Sequence, residues 1–273
     1  MGYMQRAYRH GLQVLNLFAT FPMSLYKLNS NNVSLAFTND ETLISSSRDT
    51  SIKVWSIYDD ACFSTSPRIR TFYPSSSSNA HGAKVRDLKF VTENEEYASL
   101  GADGFVCIWD SNTHQKTCEH PLLQTAETVC LHHSPEYNCY SIGSQGHISF
   151  LDPRCGIVNT VDSLDDNWGV RSISQKGKGL LAVGGGLGRI SFFCLRAGKY
   201  LNVGEDGSQP FFTASPGYLN RDHTYLTHFF NTGTVIRNAI YSLSFDKTGR
   251  RLAVAGGPLQ VHITGSYFGI WST

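Results

Sequence analysis

One pattern restricts the fold of this chain more than any other property: three short runs of alternating apolar residues, separated by tight turns, recur along it. The first unit reads Val33-Ser-Leu-Ala-Phe37, Thr42-Leu-Ile-Ser-Ser-Ser47 and Ser51-Ile-Lys-Val-Trp55, with Arg48-Asp49 in its second turn. The second reads Val85-Arg-Asp-Leu-Lys-Phe90, Tyr97-Ala-Ser-Leu-Gly101 and Phe105-Val-Cys-Ile-Trp109, with Asp103-Gly104 at the same turn. Val129 to Leu131, Tyr140 to Gly143 and His147 to Phe150 make a third; Val170 to Ile173, Leu180 to Gly184 and Arg189 to Phe193 a fourth. Ile240 to Phe245, Arg251 to Ala255 and Tyr267 to Trp271 complete a fifth. Period-two alternation bounded by Gly, Asp and Ser turns is the signature of strands rather than helices.

From leading β-branched residue to closing aromatic the units span 22, 24, 21, 23 and 31 residues, and the excess in the last falls in Gly257 to Gly265, expected to project as a loop. Leading residues lie 52, 44, 41 and 70 apart, against the roughly 40 to 45 of WD-repeat blades. The long intervals hold the serine run Ser75 to Ser78 after Pro74 and the Gly/Asn/aromatic stretch Gly198 to Thr234, so long loops are expected at about 60–80 and 198–235. A fourth, outer strand is expected after each closing aromatic, as at Ser56 to Asp59 or Lys116 to His120. The implied fold is all-β: a WD-repeat β-propeller over residues 30–273 with about five recognisable blades. Residues 1–29 form a divergent or remnant N-terminal segment, basic and Leu/Phe-rich, that weakly resembles a transit or signal segment. They supply one distorted blade at most. A chain incomplete at its N-terminus, or a divergent smaller ring, is therefore expected.

Composition narrows the function. A net charge of +1 provides no global attraction to nucleic acid or to an anionic membrane, and no apolar run reaches the roughly 18 residues a membrane helix needs. Seven cysteines without a Cys-x-x-Cys pair argue against a disulfide framework and a zinc site, and for a reducing intracellular compartment. Gly184-Gly-Gly-Leu-Gly188 lies between two strands with no helix to follow, so it reads as a turn rather than a dinucleotide loop. His132 and His133 are adjacent, which a strand sends to opposite faces, and no nucleophile or paired-carboxylate arrangement stands out. The expectation is a binding protein, not an enzyme, with no metal or cofactor. Asp49, Asp103 and His81 are expected to join the hydrogen-bonded networks that tie a blade together.

Repeat geometry singles out four cations. Lys84 and Arg86 begin the first strand of unit two, Arg171 begins that of unit four, and Arg48 sits in the second turn of unit one. All four should converge near one mouth of the channel, with Lys84 and Arg86 on one side of their strand by alternation. Such a cluster can grip carboxylates, two donors at a time for Arg. The other reading is that each pairs with a nearby acid, such as Asp49 or Asp87, and solvates the rim.

Several colinear segments, Ser47-Arg48-Asp49, Lys84-Val-Arg86, Gly143-Ser-Gln-Gly-His-Ile-Ser-Phe-Leu-Asp-Pro-Arg154, Gly169-Val-Arg171-Ser-Ile173, Gly217-Tyr-Leu-Asn220 and Val254-Ala-Gly-Gly-Pro-Leu259, carry a resemblance. The chain resembles the WD-repeat substrate receptors of cullin-4 RING ubiquitin ligases, in particular the twelfth of the numbered DDB1- and cullin-4-associated factors. That resemblance implies a cytoplasmic and nuclear receptor that binds protein C-termini ending in acidic residues, partnered by the adaptor DDB1 and the cullin-4 complex. Arg48, Lys84, Arg86 and Arg171 fall on the motif positions of its basic pocket. Asp152-Pro-Arg154 resembles the Asp-x-Arg ending by which some receptors touch the adaptor, although Cys194-Leu-Arg196 of the next unit lacks the acid and a structural turn is the competing role. The basic segment, helical adaptor anchor and about two further blades that the resemblance implies are not recognisable in residues 1–29, which puts adaptor docking in doubt. A general WD-repeat scaffold without a ubiquitin role is the alternative function.

Overall fold

A computed structural model describes residues 32–39, 42–56, 74–125, 127–165, 168–201, 211–215, 217–230, 235–260 and 263–272. The segment 1–29 lies outside these residues, as does the expected outer strand from 57 onward. The described residues form five antiparallel sheets, one for each unit read from the sequence. The first contains β1 (Asn32–Phe37), β2 (Thr42–Ser47), β3 (Ser51–Ser56) and β4 (Ser76–Asn79). The second contains β5 (Val85–Val91), β6 (Glu96–Gly101), β7 (Phe105–Asp110) and β8 (Lys116–Pro121). The third contains β9 (Cys130–Ser134), β10 (Cys139–Gly143), β11 (His147–Asp152) and β12 (Gly156–Asp162). In the fourth, β13 (Val170–Lys176), β14 (Leu180–Gly185) and β15 (Arg189–Cys194) are followed by β16 (Lys199–Tyr200) and β17 (Phe211–Thr213), which share the outer edge of β15. The last runs β18 (Tyr218–Leu219), β21 (Gly265–Ser272), β20 (Arg251–Pro258), β19 (Asn238–Phe245). A short helix, α1 (His223–His228), stands between β18 and β19, with Asp222 capping it through the Tyr225 amide.

Three expectations are corrected. The serine run read as a linker is an edge strand: Ser76 to Ser78 pair with Val54 to Ile52 through backbone groups, and an outer strand needs no apolar face for that. The stretch 198–235 holds three strands and α1, and the last sheet draws its fourth strand from before β19 rather than after β21. The insertion at 257–265 shrinks to 259–264, because β20 runs to Pro258 and β21 starts at Gly265.

The chain divides into two compact units. One takes in the described residues up to Ile142 together with Ser149–Asn159; the other takes Gly143–Ile148 and the described residues from Thr160 onward. In the first unit, Ile44, Ile52 and Val54 pack against Val85, Leu88 and Trp109 of the next sheet. Leu100, Val106 and Ile108 pack on toward Leu131, Tyr140 and Leu151. In the second unit Ala182 and Ile190 meet Ile240, Leu243 and Val254. Each Val, Leu and Ile side chain among these is removed from water, a gain of about 2 kcal/mol apiece. First strands of successive sheets are stitched by one repeated position: Ser34 donates to Asp87 at 2.9 Å, and the other Asp87 oxygen accepts the Leu131 amide at 2.9 Å. In the second unit Ser172 Oγ donates to the Ile240 carbonyl at 2.8 Å.

Candidate functional site

The residues at the start of four of the five first strands are placed by a repeated irregularity. Val85 pairs with Gly101 and Asp87 with Leu100, so Arg86 is an extra residue, a β-bulge. Val170 pairs with Gly185 and Ser172 with Gly184, which leaves Arg171 in the same position. The first and last sheets repeat it at Val33 and Tyr241. A bulged residue stands outside the hydrogen-bond ladder, so its side chain is released from strict alternation and aimed anew. Strict alternation therefore does not set how Arg86 is aimed relative to Lys84. Lys84 precedes the strand and is exposed, whereas Arg86 is half-buried at the bulge.

The turn between second and third strands lies at that same end of the sheet. The Ala102 amide in the β6–β7 turn donates to the Lys84 carbonyl at 2.9 Å, and the Gly186 amide donates to the Gly169 carbonyl at 2.9 Å in the fourth sheet. Arg48 occupies the place of Ala102 in the first sheet and is exposed. Because Ser34 and Asp87 hold β1 and β5 side by side at equivalent positions, Arg48, Lys84 and Arg86 lie at one end of two neighbouring sheets. Arg171 has the matching position within the other unit.

The two acids that could neutralise this end serve the framework. Asp49 accepts the Ser51 hydroxyl at 2.6 Å and amide at 3.1 Å, and pairs with Lys53 at 3.2 Å. Burial works against its ionised form, but the bonds from Ser51, Ser47 and Lys53 outweigh it and hold the carboxyl at about 2. Asp87 is committed to Ser34, Leu88 and Leu131, with Lys89 at 3.8 Å. Neither Arg48 nor Lys84 makes an ion pair or side-chain hydrogen bond among the described residues.

Arg171 is pre-oriented. Its Nε and Nη2 donate to the Trp168 carbonyl at 3.3 and 3.1 Å, which lays the guanidinium across Gly169. That glycine has φ +90°, and a Cβ there would come within 2.9 Å of the same two nitrogens. Beside Arg171 stands Tyr241, 47% exposed, with its hydroxyl donating to the Pro258 carbonyl at 3.1 Å. This tyrosine carries no charge to mark it among the cations. The signal for it is the repeated bulge frame, legible once Val85-Arg-Asp-Leu88, Val170-Arg-Ser-Ile173 and Ile240-Tyr-Ser-Leu243 are aligned on their second residue.

The framework residues form the expected network in the second sheet. Trp109 Nε1 donates to Ser99 Oγ at 2.9 Å, Ser99 bonds His81 Nε2 at 2.8 Å, and His81 Nδ1 meets Asp103 at 3.1 Å. Asp103 also accepts the Gly82 and Phe105 amides at 2.7 and 3.2 Å. Burial lowers the His81 pKa more than Asp103 raises it, so the ring is neutral and the chain runs from Trp109 N–H to the Asp103 carboxylate. Among the described residues the first sheet shows the tryptophan end, Trp55 to Ser45 at 2.9 Å, and Asp49 caps its own turn. In the fourth sheet the acid comes from the preceding loop. Buried Asp165 accepts the Leu187 amide at 2.6 Å and faces Arg189 at 3.9 Å. The turn Gly184 to Gly188 is built around it, since a Cβ on Gly185 would collide with the Asp165 carboxylate.

Asp152 ends β11 and Arg154 lies in the β11–β12 turn, at the far end of β11 from the β10–β11 turn. Arg154 is 76% exposed and clasps Asp152 bidentately, Nε to Oδ1 at 3.0 Å and Nη2 to Oδ2 at 2.7 Å. Those bonds and the Arg154 amide hold Asp152 at about 2. Asp110 performs the same turn-closing role in the second sheet, accepting from Asn112 and from Thr113. Asp152 is thus a turn residue, and its arginine is presented to solvent.

The repeated four-stranded antiparallel sheets are the architecture expected of a propeller, and a family model agrees with it. The family model described as the DDB1- and CUL4-associated factor 12 beta propeller matches residues 10–272, nearly the whole chain. The chain therefore belongs to the β-propeller family of DDB1- and CUL4-associated factor 12.

Proposed function

We propose that this protein is a non-enzymatic substrate receptor of a cullin-4 RING ubiquitin ligase, and that it captures proteins by acidic C-terminal tails. The receptor role rests on the family, whose name couples it to DDB1 and cullin-4. The ligand class rests on one observation: arginines at the bulges of β5 and β13, with Arg48 and Lys84 beside the first of them, while the nearby acids are occupied elsewhere. Two sets of cations are thereby assigned to acidic tails, Arg48, Lys84 and Arg86 within one unit and Arg171, taken by itself, within the other. A C-terminal glutamate offers two carboxylates within a few ångströms, and guanidinium groups meet each with paired charge-assisted bonds.

The test is direct binding of a labelled peptide ending in two glutamates, compared with the same peptide amidated. Amidation and Arg171→Glu should each weaken binding at least tenfold, since each removes a charge-assisted contact of about 1.5–3 kcal/mol. Equal binding of acid and amide would refute the ligand assignment. For the adaptor we assign Arg154, exposed beside its Asp152 partner, as a contact. Affinity capture with the intact chain should retain DDB1 and lose part of it in Arg154→Glu. Capture of a multiprotein assembly that lacks DDB1 and cullin-4 would favour a general scaffold instead.

A further inference from the structure

Tyr241 occupies the bulge position of β19 that Arg171 occupies in β13, and the two strands are neighbours within one unit. The bond from Ser172 Oγ to the Ile240 carbonyl joins the residues next to each, so Arg171 and Tyr241 flank a single 2.8 Å contact. The tyrosine is not a core aromatic. It is 47% exposed, and the only bond of its hydroxyl among the described residues is a 3.1 Å donation to the Pro258 carbonyl. A neutral carbonyl is a weaker acceptor than a carboxylate, so this proton has a better partner whenever an anion is seated beside it. The guanidinium also reaches the phenol electrostatically: burial raises the Tyr241 pKa above its ordinary value, and Arg171 opposes that rise.

We propose that Tyr241 is a further ligand-contacting residue of the receptor, its hydroxyl turning from the Pro258 carbonyl to a carboxylate gripped by Arg171. The proposal rests on the acidic-tail reading above and extends it from cations alone to a cation and a neutral donor. Such a pair is more selective than a second arginine. A phenol adds a directed hydrogen bond without adding charge, so it favours a carboxylate that sits in the right place over any polyanion that comes near. In the free protein, Pro258 keeps the donor satisfied and the side chain oriented.

Tyr241→Phe removes the hydroxyl and keeps the ring, so its thermal unfolding should match wild type. Binding of the peptide ending in two glutamates should weaken about tenfold, the value of one hydrogen bond to a charged acceptor. Of two control peptides, one with a C-terminal amide and one ending in two glutamines, the one that lacks the carboxylate held by Arg171 should lose less than twofold on Tyr241→Phe. If wild-type protein fails to prefer the free acid, the tail reading itself falls and this proposal with it. If wild type prefers the acid and Tyr241→Phe binds as tightly, only the tyrosine assignment is overturned. An equal loss on all three peptides also overturns it, because the residue would then be shaping the rim rather than touching the carboxylate.

Discussion

Two serines at one repeat position should respond oppositely to the same substitution. Ser99 and Ser141 each lie two residues before the glycine that ends a second strand, and both are 0% exposed. Ser99 accepts Trp109 Nε1–H at 2.9 Å and bonds His81 at 2.8 Å. The third sheet carries Leu151 at the repeat position of Trp109, and the buried Ser141 hydroxyl has no hydrogen-bond partner among the described residues. Ser99→Ala orphans a buried indole N–H and a buried imidazole nitrogen, at about 1–3 kcal/mol each. A loss of about 3 kcal/mol is expected. Ser141→Ala deletes a hydroxyl that gains nothing for its desolvation, so the outcome is neutral or stabilising by up to about 1 kcal/mol. Urea unfolding with an unchanged slope gives both numbers, and native-state hydrogen exchange of β6 and β10 amides localises them. A cost above about 1 kcal/mol for Ser141→Ala, or equal costs at both positions, would refute the reasoning from partners to energy.

Stability should also decline as pH falls below His81's ordinary value of 6.5. Burial lowers its folded pKa, so the unfolded chain takes up the proton first; His114 and His133 act in the same direction. The stabilisation is complete above 6.5 and is lost on acidification, and His81→Gln should flatten the slope of stability between pH 7.5 and 5.5. Gly256→Ala should cost about 3 kcal/mol in the same unfolding assay, because a Cβ there would collide with the Ala239 carbonyl, and backbone cannot step aside alone. Gly169→Ala should cost about 1–2 kcal/mol for its φ of +90° and also weaken peptide binding by displacing Arg171. Gly177→Ala, at φ +52° with nothing within 4 Å, should leave binding unchanged.

The order of the strands was legible because short apolar runs are punctuated by Gly and Asp turns, although β2, β6, β10 and β14 are buried along nearly their whole length rather than on one face. The network of His81, Ser99, Asp103 and Trp109 was legible in outline for a related reason: a histidine before one strand and an aspartate in a later turn repeat a recognisable spacing. β4 was not, because Ser76 to Asn79 pair by backbone alone and their side chains advertise nothing. Nor was the source of the last sheet's outer strand, since Tyr218 and Leu219 reach β21 across a loop of no fixed pattern.

The four cations show the division most plainly. Their repeat positions follow from spacing, so the placement of Arg48, Lys84 and Arg86 at one end of adjacent sheets could be read from strand order. How their side chains are aimed could not. The bulges at Arg86 and Arg171 depend on a one-residue mismatch between paired strands, which alternation within either strand does not encode. Tyr241 became a candidate only when the same mismatch recurred at β19, and Arg154 showed its own Asp152 as partner only once the turn was closed. Sequence by itself determined that this is a repeated all-β chain with basic strand starts. Tertiary structure decided which of those side chains leave the ladder, because pairing is a property of two strands and not of one.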